Sequence, residues 1–232
     1  MAPDQAYTDF SPECQITQKG LSTALIWGDS HAAALTSGLR ELLPNVVQYT
    51  ASGCPPIVDA VVSSWRPHCR NINAFVLKEV QRLQPQQVFL HANWLSYKEQ
   101  DPIKHIQMAI DAIYGVSPTT NVTIVGGVPQ WLRPLPIVML HRQISINKDQ
   151  YRQTPLYGDL EKLDMDLRRV ADANRASFVS AIDILCREMV CQVVSRSSNG
   201  FRLTAWDYGH LTQVGSALLA KKLLARINAD VR

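Results

Sequence analysis

Short apolar runs that alternate with longer segments of helical periodicity constrain the fold of this chain more than any other feature. The runs are predicted strands: Ser22–Trp27, Val46–Thr50, Gln87–Ala92, the NVTIVGG run from residue 121, and Ser177–Ile182. The segments between them have apolar residues three and four apart and are predicted helices: His31–Leu43, Asn71–Leu83, Ile103–Tyr114, Leu156–Asn174 and Thr212–Asn228. Strands that alternate with helices are typical of a parallel sheet covered on both faces. We therefore expect an α/β fold, a three-layer α/β/α sandwich with a mainly parallel central sheet.

The alternation stops between residues 128 and 155. This segment contains four prolines and little periodicity, and we interpret it as a long Pro-rich loop insertion. It is either a structural connection or one wall of a cleft, because loops of this length in compact domains are often functional. We expect residues 1–20 to be an N-terminal extension or linker and residues 21–232 to form a single domain.

The composition excludes several classes of partner. A net charge of +3 without a Lys/Arg block argues against nucleic acid. No apolar run approaches the roughly 18–20 residues needed to cross a bilayer. The start MAPDQAYTDF lacks the basic and apolar parts of a signal peptide, and it resembles the edge of a piece from a longer protein. His68, His105 and His141 have no ligand spacing, so neither a metal nor another cofactor is expected.

Five cysteines are present, and none belongs to a C-x-x-C pair. Cys54 with Cys69, and Cys186 with Cys191, are spaced so that each pair can form a disulfide; buried free thiols are the alternative. Two bridges would indicate an oxidising compartment and would leave Cys14 over.

The stretch LIWGDSHAAAL places Gly28, Asp29 and Ser30 where a predicted strand ends and a helix begins. A serine at such a turn has its hydroxyl held out of the sheet, and the helix start offers N–H groups to a developing oxyanion. This is the logic of a nucleophile elbow; a helix N-cap is the alternative role for Ser30. We expect Asp29 to order the turn, and His31 either to contact substrate or to play a local role.

Near the other end of the chain, WDYGHLT contains Asp207 and His210 three residues apart. A serine nucleophile needs an imidazole base held in one tautomer by an acceptor on its other nitrogen. A D-x-x-H turn supplies both groups from one short loop. The alternative is an ordinary turn residue and a helix cap.

Two further residues follow predicted strands at the same edge of the sheet. Gly53, in ASGCPP, allows a close approach of its backbone N–H, and Asn93, in LHANW, has an amide that can donate to an oxyanion. A plain turn glycine and a loop amide are the alternatives. Trp94 and Trp131 lie in predicted loops at this edge, where an aromatic face can stack on a sugar ring.

Together these residues resemble the four blocks of the SGNH (GDSL-like) hydrolase superfamily, from Gly28 to His210. The resemblance implies a flavodoxin-like sheet and a single catalytic domain. It also implies Ser30 as nucleophile, Asp207 as orienter and His210 as base, with an oxyanion hole from Ser30, Gly53 and Asn93. The third block departs from the common G-x-N-D, because here it is H-A-N-W.

A narrower resemblance rests on GDSHAAAL, SGCPP, Trp94, VGGVPQWLRPLP, the Cys186/Cys191 pair and DYGHLTQVGS. These motifs are similar to the SGNH domain that follows a membrane acyltransferase-3 domain. That family O-acylates bacterial surface polysaccharides such as lipopolysaccharide O-antigen.

The narrower resemblance implies an acyl donor and a carbohydrate acceptor as substrates. It also implies a preceding membrane acyltransferase domain and a periplasmic location at the inner membrane. Two other interpretations stay open: a free-standing carbohydrate or lipid esterase with the same triad, and an inactive carbohydrate-binding module.

Overall fold

Strands and helices alternate along most of the chain. The computed structural model describes residues 10–11, 21–59 and 66–230. The strands in this part are β1 (Ala24–Gly28), β2 (Val46–Thr50), β3 (Gln87–His91), β4 (Asn121–Val125), β5 (Gln150–Gln153), β6 (Ser177–Val179), β7 (Cys186–Arg187), β8 (Val190–Ser197) and β9 (Gly200–Leu203). The helices are α1 (Ser30–Leu42), α2 (Cys69–Leu83), α3 (Pro102–Val116), α4 (Leu135–His141), α5 (Tyr157–Ala173), α6 (Ala181–Leu185) and α7 (Gln213–Asp230), and Trp94–Gln100 is a 3-10 helix. None of the helices in these ranges is long and apolar enough to cross a membrane.

Five parallel strands form the central sheet in the order β2-β1-β3-β4-β6. Gly28, the last residue of β1, lies opposite Thr50 of β2 and His91 of β3. The strand order reverses between β1 and β3, and ligands bind outside the carboxyl ends of the strands at such a point. The residues that follow β1, β2 and β3 therefore share one edge of the sheet.

Helices cover both faces of the sheet, because successive strand residues point to opposite sides and both sides are apolar. One core lies between the sheet and α2, α3 and α5, and it includes Leu25 and Trp27. The other lies between the sheet and α1 and α7, and it includes Ile26 and Phe89. The predicted three-layer α/β/α sandwich with a parallel, flavodoxin-like sheet is confirmed.

A small antiparallel sheet near the C-terminus was not predicted. Its order is β5-β8-β7, and β9 pairs with the second half of β8. The predicted strand Ser177–Ile182 is also too long, because α6 begins at Ala181. The Ser180 hydroxyl accepts a hydrogen bond from the Asp183 N–H at 3.1 Å, which is the N-cap that starts this helix.

The segment 128–155 contains regular structure where a loop was expected. It includes α4, which begins after Pro134 and has Pro136 in its first turn, a position that proline tolerates since the N–H it lacks would have no helical partner there. The segment also includes β5, whose partner β8 lies about forty residues further along the chain. A strand whose partner lies so far along the chain cannot be predicted from local periodicity.

Both predicted disulfides are present. Cys54 bonds to Cys69 with their Cα atoms 5.4 Å apart, and Cys186 bonds to Cys191 across the β7–β8 turn with their Cα atoms 3.8 Å apart. Cys14 lies outside the described residues.

The predicted boundary at residue 20 needs one correction. Phe10 is buried in the core, with its ring centroid 5.0 Å from Tyr49 and 5.6 Å from Phe75. Phe10 therefore belongs to the packed domain, although residues 1–20 were expected to form an extension or linker. The other residues of that range, apart from Ser11, lie outside the described part of the chain.

Candidate active site

The turn between β1 and α1 places Ser30 at the carboxyl edge of the sheet. A Cβ on Gly28 would lie 1.7 Å from the carbonyl oxygen of His91, so only glycine fits at the end of β1. Asp29 then caps α1 by accepting a hydrogen bond from the His31 N–H at 2.8 Å. Ser30 is the first residue of the helix, where the unpaired N–H groups and the helix dipole favour negative charge.

Ser30, His210 and Asp207 form a continuous hydrogen-bonded chain. The Ser30 hydroxyl lies 2.7 Å from Nε2 of His210, and Nδ1 of His210 lies 2.6 Å from Oδ2 of Asp207. A carboxylate oxygen only accepts, so Nδ1 carries the proton and Nε2 presents its lone pair to the serine hydroxyl. The structure thus brings together all three residues that the sequence predicted as a triad.

The turn that carries Asp207 and His210 is fixed by its own backbone and by the segment 128–155. Oδ1 of Asp207 accepts hydrogen bonds from the N–H groups of Gly209 and His210 at 3.0 and 2.8 Å. The Leu135 N–H donates to the Asp207 carbonyl at 2.9 Å, and the Trp131 N–H donates to the Tyr208 carbonyl at 2.8 Å. The segment 128–155, which was expected to be a loop, therefore holds the D-x-x-H turn in place through these two backbone hydrogen bonds.

A buried polar cluster lies behind Ser30 and begins at Asp29. Oδ2 of Asp29 accepts hydrogen bonds from the Asn93 N–H at 3.0 Å and the Tyr97 hydroxyl at 2.8 Å. Burial raises the pKa of the Asp29 carboxyl, and these hydrogen bonds, with that from His31, act in the opposite direction. Asp29 thus joins the turns after β1 and β3, which agrees with the ordering role expected for it.

The side chain of Asn93 is also tied into this cluster. Its Oδ1 accepts a hydrogen bond from Nε2 of Gln130 at 2.7 Å, and its Nδ2 donates to the Tyr208 hydroxyl at 3.2 Å. Tyr208 also lies 3.3 Å from Nε2 of His31. The amide that was predicted to face an oxyanion therefore donates to the Tyr208 hydroxyl in this structure.

Gly53 lies in the turn that follows β2. Its φ is 63°, a left-handed conformation that favours glycine, and Cys54 closes the turn with an N–H bond of 3.0 Å to the Ala51 carbonyl. Its neighbour Ser52 lines the same small cavity as Ser30 and His210. Gly53 is therefore beside the predicted site and in the conformation that the turn requires.

His31 contributes a neutral ring next to the predicted base. Its ring centroid lies 4.3 Å from that of His210. Burial lowers the pKa of His31 well below its usual value, and the charges of His210 and His91 act in the same direction. His31 is almost fully buried, so it belongs to the packing around the site, and a neutral ring here does not repel a protonated His210.

Two aromatic residues predicted to contact sugar do not reach the surface. Trp94 is fully buried and donates its indole N–H to the Val125 carbonyl at 2.8 Å, and Trp131 is buried in the second core. Both rings pack inside the molecule, so neither can stack on a sugar.

Trp206, directly before Asp207, is an exposed aromatic residue, as is Tyr208 in the same turn. The Trp206 side chain is 59% exposed, and its ring stacks on His210 with centroids 5.2 Å apart and planes 20° apart. In the sequence, the feature that points to a role for Trp206 is its position directly before the D-x-x-H motif. Its residue type alone does not distinguish it from the other tryptophans. Trp65, another tryptophan of the chain, lies outside the described residues.

Two cavities meet at Trp206. We call Ser30, Asp207, His210 and the polar cluster behind them the serine site, and a cavity of about 480 Å³ opens onto Ser30 and His210. A second cavity of about 860 Å³, which we call the groove, lies between the β8–β9 turn, α7 and the segment 128–155. Among the residues that the structure describes, no cluster of three or more His, Cys, Asp or Glu side chains offers a metal site.

The chain matches the model of the SGNH domain family that is fused to AT3 domains, from residue 2 to residue 225. It therefore belongs to this family, as its sequence motifs predicted. A search among curated proteins found no significant match.

Solved structures of similar fold include acyl-transfer enzymes. The periplasmic domain of the lipopolysaccharide acetyltransferase of Salmonella ser. Paratyphi A is 26% identical with a TM-score of 0.69, over 90% of this chain and 85% of that one. A carbohydrate acetylesterase of Sinorhizobium meliloti and an aryl esterase of M. smegmatis are each 13% identical with a TM-score of 0.54, over 90% of this chain and 99% of theirs; this likeness shows the fold alone. With its family and site, the chain is an acyltransferase or acylesterase.

Proposed function

We propose that this chain transfers an acyl group, most simply acetyl, to a bacterial surface polysaccharide such as lipopolysaccharide O-antigen, through an acyl-serine intermediate on Ser30. The observation that carries the proposal is the hydrogen-bonded chain from Ser30 through His210 to Asp207, with distances of 2.7 and 2.6 Å. The likeness to a lipopolysaccharide acetyltransferase domain supports the choice of acceptor.

In the first half-reaction His210 takes the Ser30 proton at Nε2 while Oγ attacks the acyl carbonyl. The Asp207 carboxylate holds the Nδ1 proton and stabilises the imidazolium that forms. The bond from the carbonyl carbon to the donor's oxygen or sulfur then breaks, and His210 returns the proton to that leaving group.

The tetrahedral intermediate needs donors for its negative oxygen. The Ser30 backbone at the start of α1 is the first of these, and Gly53 and Asn93 are the proposed others. The Asn93 amide now donates to the Tyr208 hydroxyl at 3.2 Å. Asn93 fits the proposed role if the acyl oxygen replaces that hydroxyl as the acceptor.

In the second half-reaction a sugar hydroxyl gives its proton to His210 and attacks the acyl-serine. The bond from the carbonyl carbon to Oγ of Ser30 then breaks, and His210 returns the proton to Oγ. Water in place of the sugar gives hydrolysis by the same residues, so esterase activity is the alternative outcome of this geometry. The fusion described for the family supports a preceding membrane acyltransferase domain as the source of the acyl group. A periplasmic location follows in this proposal from that fusion and from the disulfides Cys54–Cys69 and Cys186–Cys191.

The proposal is tested with p-nitrophenyl acetate as acyl donor. We expect turnover by the wild type and loss of about 10³-fold or more in Ser30→Ala and His210→Ala. Ser96→Ala and His141→Ala are the matched controls, because both side chains are exposed and lie outside the serine site; they should keep wild-type rates. Equal rates in the wild type and the two site variants would contradict the serine mechanism and favour a binding module.

A further inference from the structure

The groove runs beside the serine site and has no role in the chemistry proposed above. It is larger than the cavity over Ser30, and Trp206 lines both. Pro136 and Ile146 from the segment 128–155 form part of its wall. A polymer bound along the groove would therefore reach the serine site at Trp206.

Trp206 presents an exposed ring beside the serine site. Its ring stacks on His210 at an interplanar angle of 20°, which occupies one face, and the side chain is nevertheless 59% exposed. An exposed indole face next to a reactive centre provides apolar stacking area for the C–H face of a sugar ring.

The charged residues of the groove are mostly cationic. Arg196, Arg202 and Lys221 line it and are exposed, whereas Glu41 is the acidic residue in its lining. Glu41 accepts a hydrogen bond from the Gln213 side chain at 2.9 Å. In the described part of the chain, none of the three cations lies within 4.0 Å of a carboxylate oxygen.

The turn between β8 and β9 adds uncharged polar groups beside these cations. Ser197, Ser198 and Asn199 line the groove there. Hydroxyl and amide side chains are suited to hydrogen bonds with sugar hydroxyls, and an arginine guanidinium recognises carboxylate or phosphate oxygens with two parallel bonds.

We propose that the groove binds an anionic segment of the acceptor polysaccharide, with one sugar ring on Trp206 and acidic substituents, carboxylate or phosphate, at Arg196, Arg202 and Lys221. This inference rests on the proposed function, and it specifies the acceptor as a charged glycan rather than a neutral one. The cations fix the position of the polysaccharide along the groove. A hydroxyl of the sugar ring on Trp206 then faces the acyl-serine.

The test measures binding of trigalacturonate and of maltotriose, an anionic and a neutral trisaccharide, by calorimetry. Ser30→Ala is the background, because binding then cannot be confused with turnover. We compare R196Q/R202Q/K221Q with K78Q/K104Q/K162Q on this background. The second set removes the same charge from exposed lysines of α2, α3 and α5 on the far side of the sheet.

We expect trigalacturonate to bind the Ser30→Ala background more tightly than maltotriose, with an affinity that falls as salt rises. The groove variant should lose about tenfold in affinity for trigalacturonate, since three exposed charge contacts each contribute modestly. The control variant should change less than about twofold, and circular dichroism should show all variants folded.

Three results would overturn the proposal: equal affinity of the two trisaccharides, equal loss in both triple variants, or no binding of either trigalacturonate or glucose 1-phosphate at millimolar concentration. For a phosphate-bearing ligand, glucose 1-phosphate in the same assay distinguishes phosphate from carboxylate recognition. Binding without any Ser30-dependent esterase activity would contradict the proposed function and leave the groove assignment standing, so the two failures are separable.

Discussion

The serine site and the groove are built in opposite ways. Behind the serine site, buried groups satisfy one another: Asp29 accepts three hydrogen bonds, and Asn93 is held by Gln130 and Tyr208. In the groove the charged side chains are exposed, and its cations lie on β8, β9 and α7 without carboxylate partners in the described part of the chain. Under the two proposals, burial fixes the catalytic geometry in advance, whereas the exposed side chains of the groove pair only when ligand binds.

The largest expected effect is loss of the charge that orients His210. Asp207→Asn presents an amide N–H or a neutral oxygen to Nδ1, so the tautomer with a free Nε2 lone pair is no longer enforced. We expect kcat for p-nitrophenyl acetate to fall by about 10³–10⁴ with little change in Tm. The control is Asp159→Asn, whose exposed carboxylate pairs with Lys98; a loss there as large as in Asp207→Asn would contradict the assignment.

The two disulfides are expected to differ in how much they stabilise the fold. Cys54–Cys69 closes a separation of 15 residues beside the serine site, and Cys186–Cys191 closes 5 residues in the small sheet. On loop entropy, replacing each pair with serine should cost about 3 and about 2 kcal/mol of unfolding free energy, respectively. Urea unfolding of the two double variants measures the difference. A larger cost for the second pair would show that the small sheet depends on its bridge more than loop length predicts.

Asp29→Asn tests whether the buried cluster positions Ser30. The new amide places a donor opposite the Asn93 N–H or the His31 N–H, which leaves a buried donor unpaired and costs about 1–3 kcal/mol. We expect a lower Tm, with kcat reduced more than KM is raised, because the turns after β1 and β3 shift. A variant with wild-type stability and kcat would contradict the positioning role of the buried cluster.

The smallest effect is a pH dependence from Asp164 of α5. Burial raises the pKa of Asp164 to about 7, although its carboxylate accepts a 2.5 Å hydrogen bond from Ser180. The folded chain therefore holds a proton that the unfolded chain releases near pH 3.8. This contribution to stability is fully present below that pH and is lost as the pH rises through about 7.

Asp164→Asn keeps an acceptor for Ser180 and removes the titration. We expect its Tm to fall less than that of the wild type between pH 5 and pH 8, by a few degrees, since about 1 kcal/mol corresponds to about 2–4 °C in a domain of this size. Parallel Tm curves for the two proteins would contradict the role given to Asp164.

The main sheet and the triad were predictable because their signals are local. A buried strand on both faces reads as a continuous apolar run, and β2 was predicted with its observed bounds, Val46–Thr50. Ser30 and His210 lie in short turns, G-D-S and D-x-x-H, whose residue types can be recognised in the sequence. The sheet order then brings distant turns to one edge, where Ser30 lies 2.7 Å from His210, which is 180 residues further along the chain.

The small sheet and the groove were not predictable in this way. The pairing of β5 with β8 joins segments whose separation leaves no periodic pattern. Trp94 and Trp131 were placed at the surface because they follow strands, but their rings turn into the cores. A sequence shows where a side chain lies along the chain, and packing decides which way it points.

The proposed mechanism requires that Ser30 carries the acyl group. The direct measurement is mass spectrometry of peptides from protein mixed with p-nitrophenyl acetate and quenched rapidly in acid, for the wild type and for Ser30→Ala. We expect one acetyl group on the wild-type peptide that contains Ser30, formed within one turnover and absent from the variant. Turnover of the donor with no acetyl on Ser30, or with acetyl on another residue in both proteins, would contradict that mechanism.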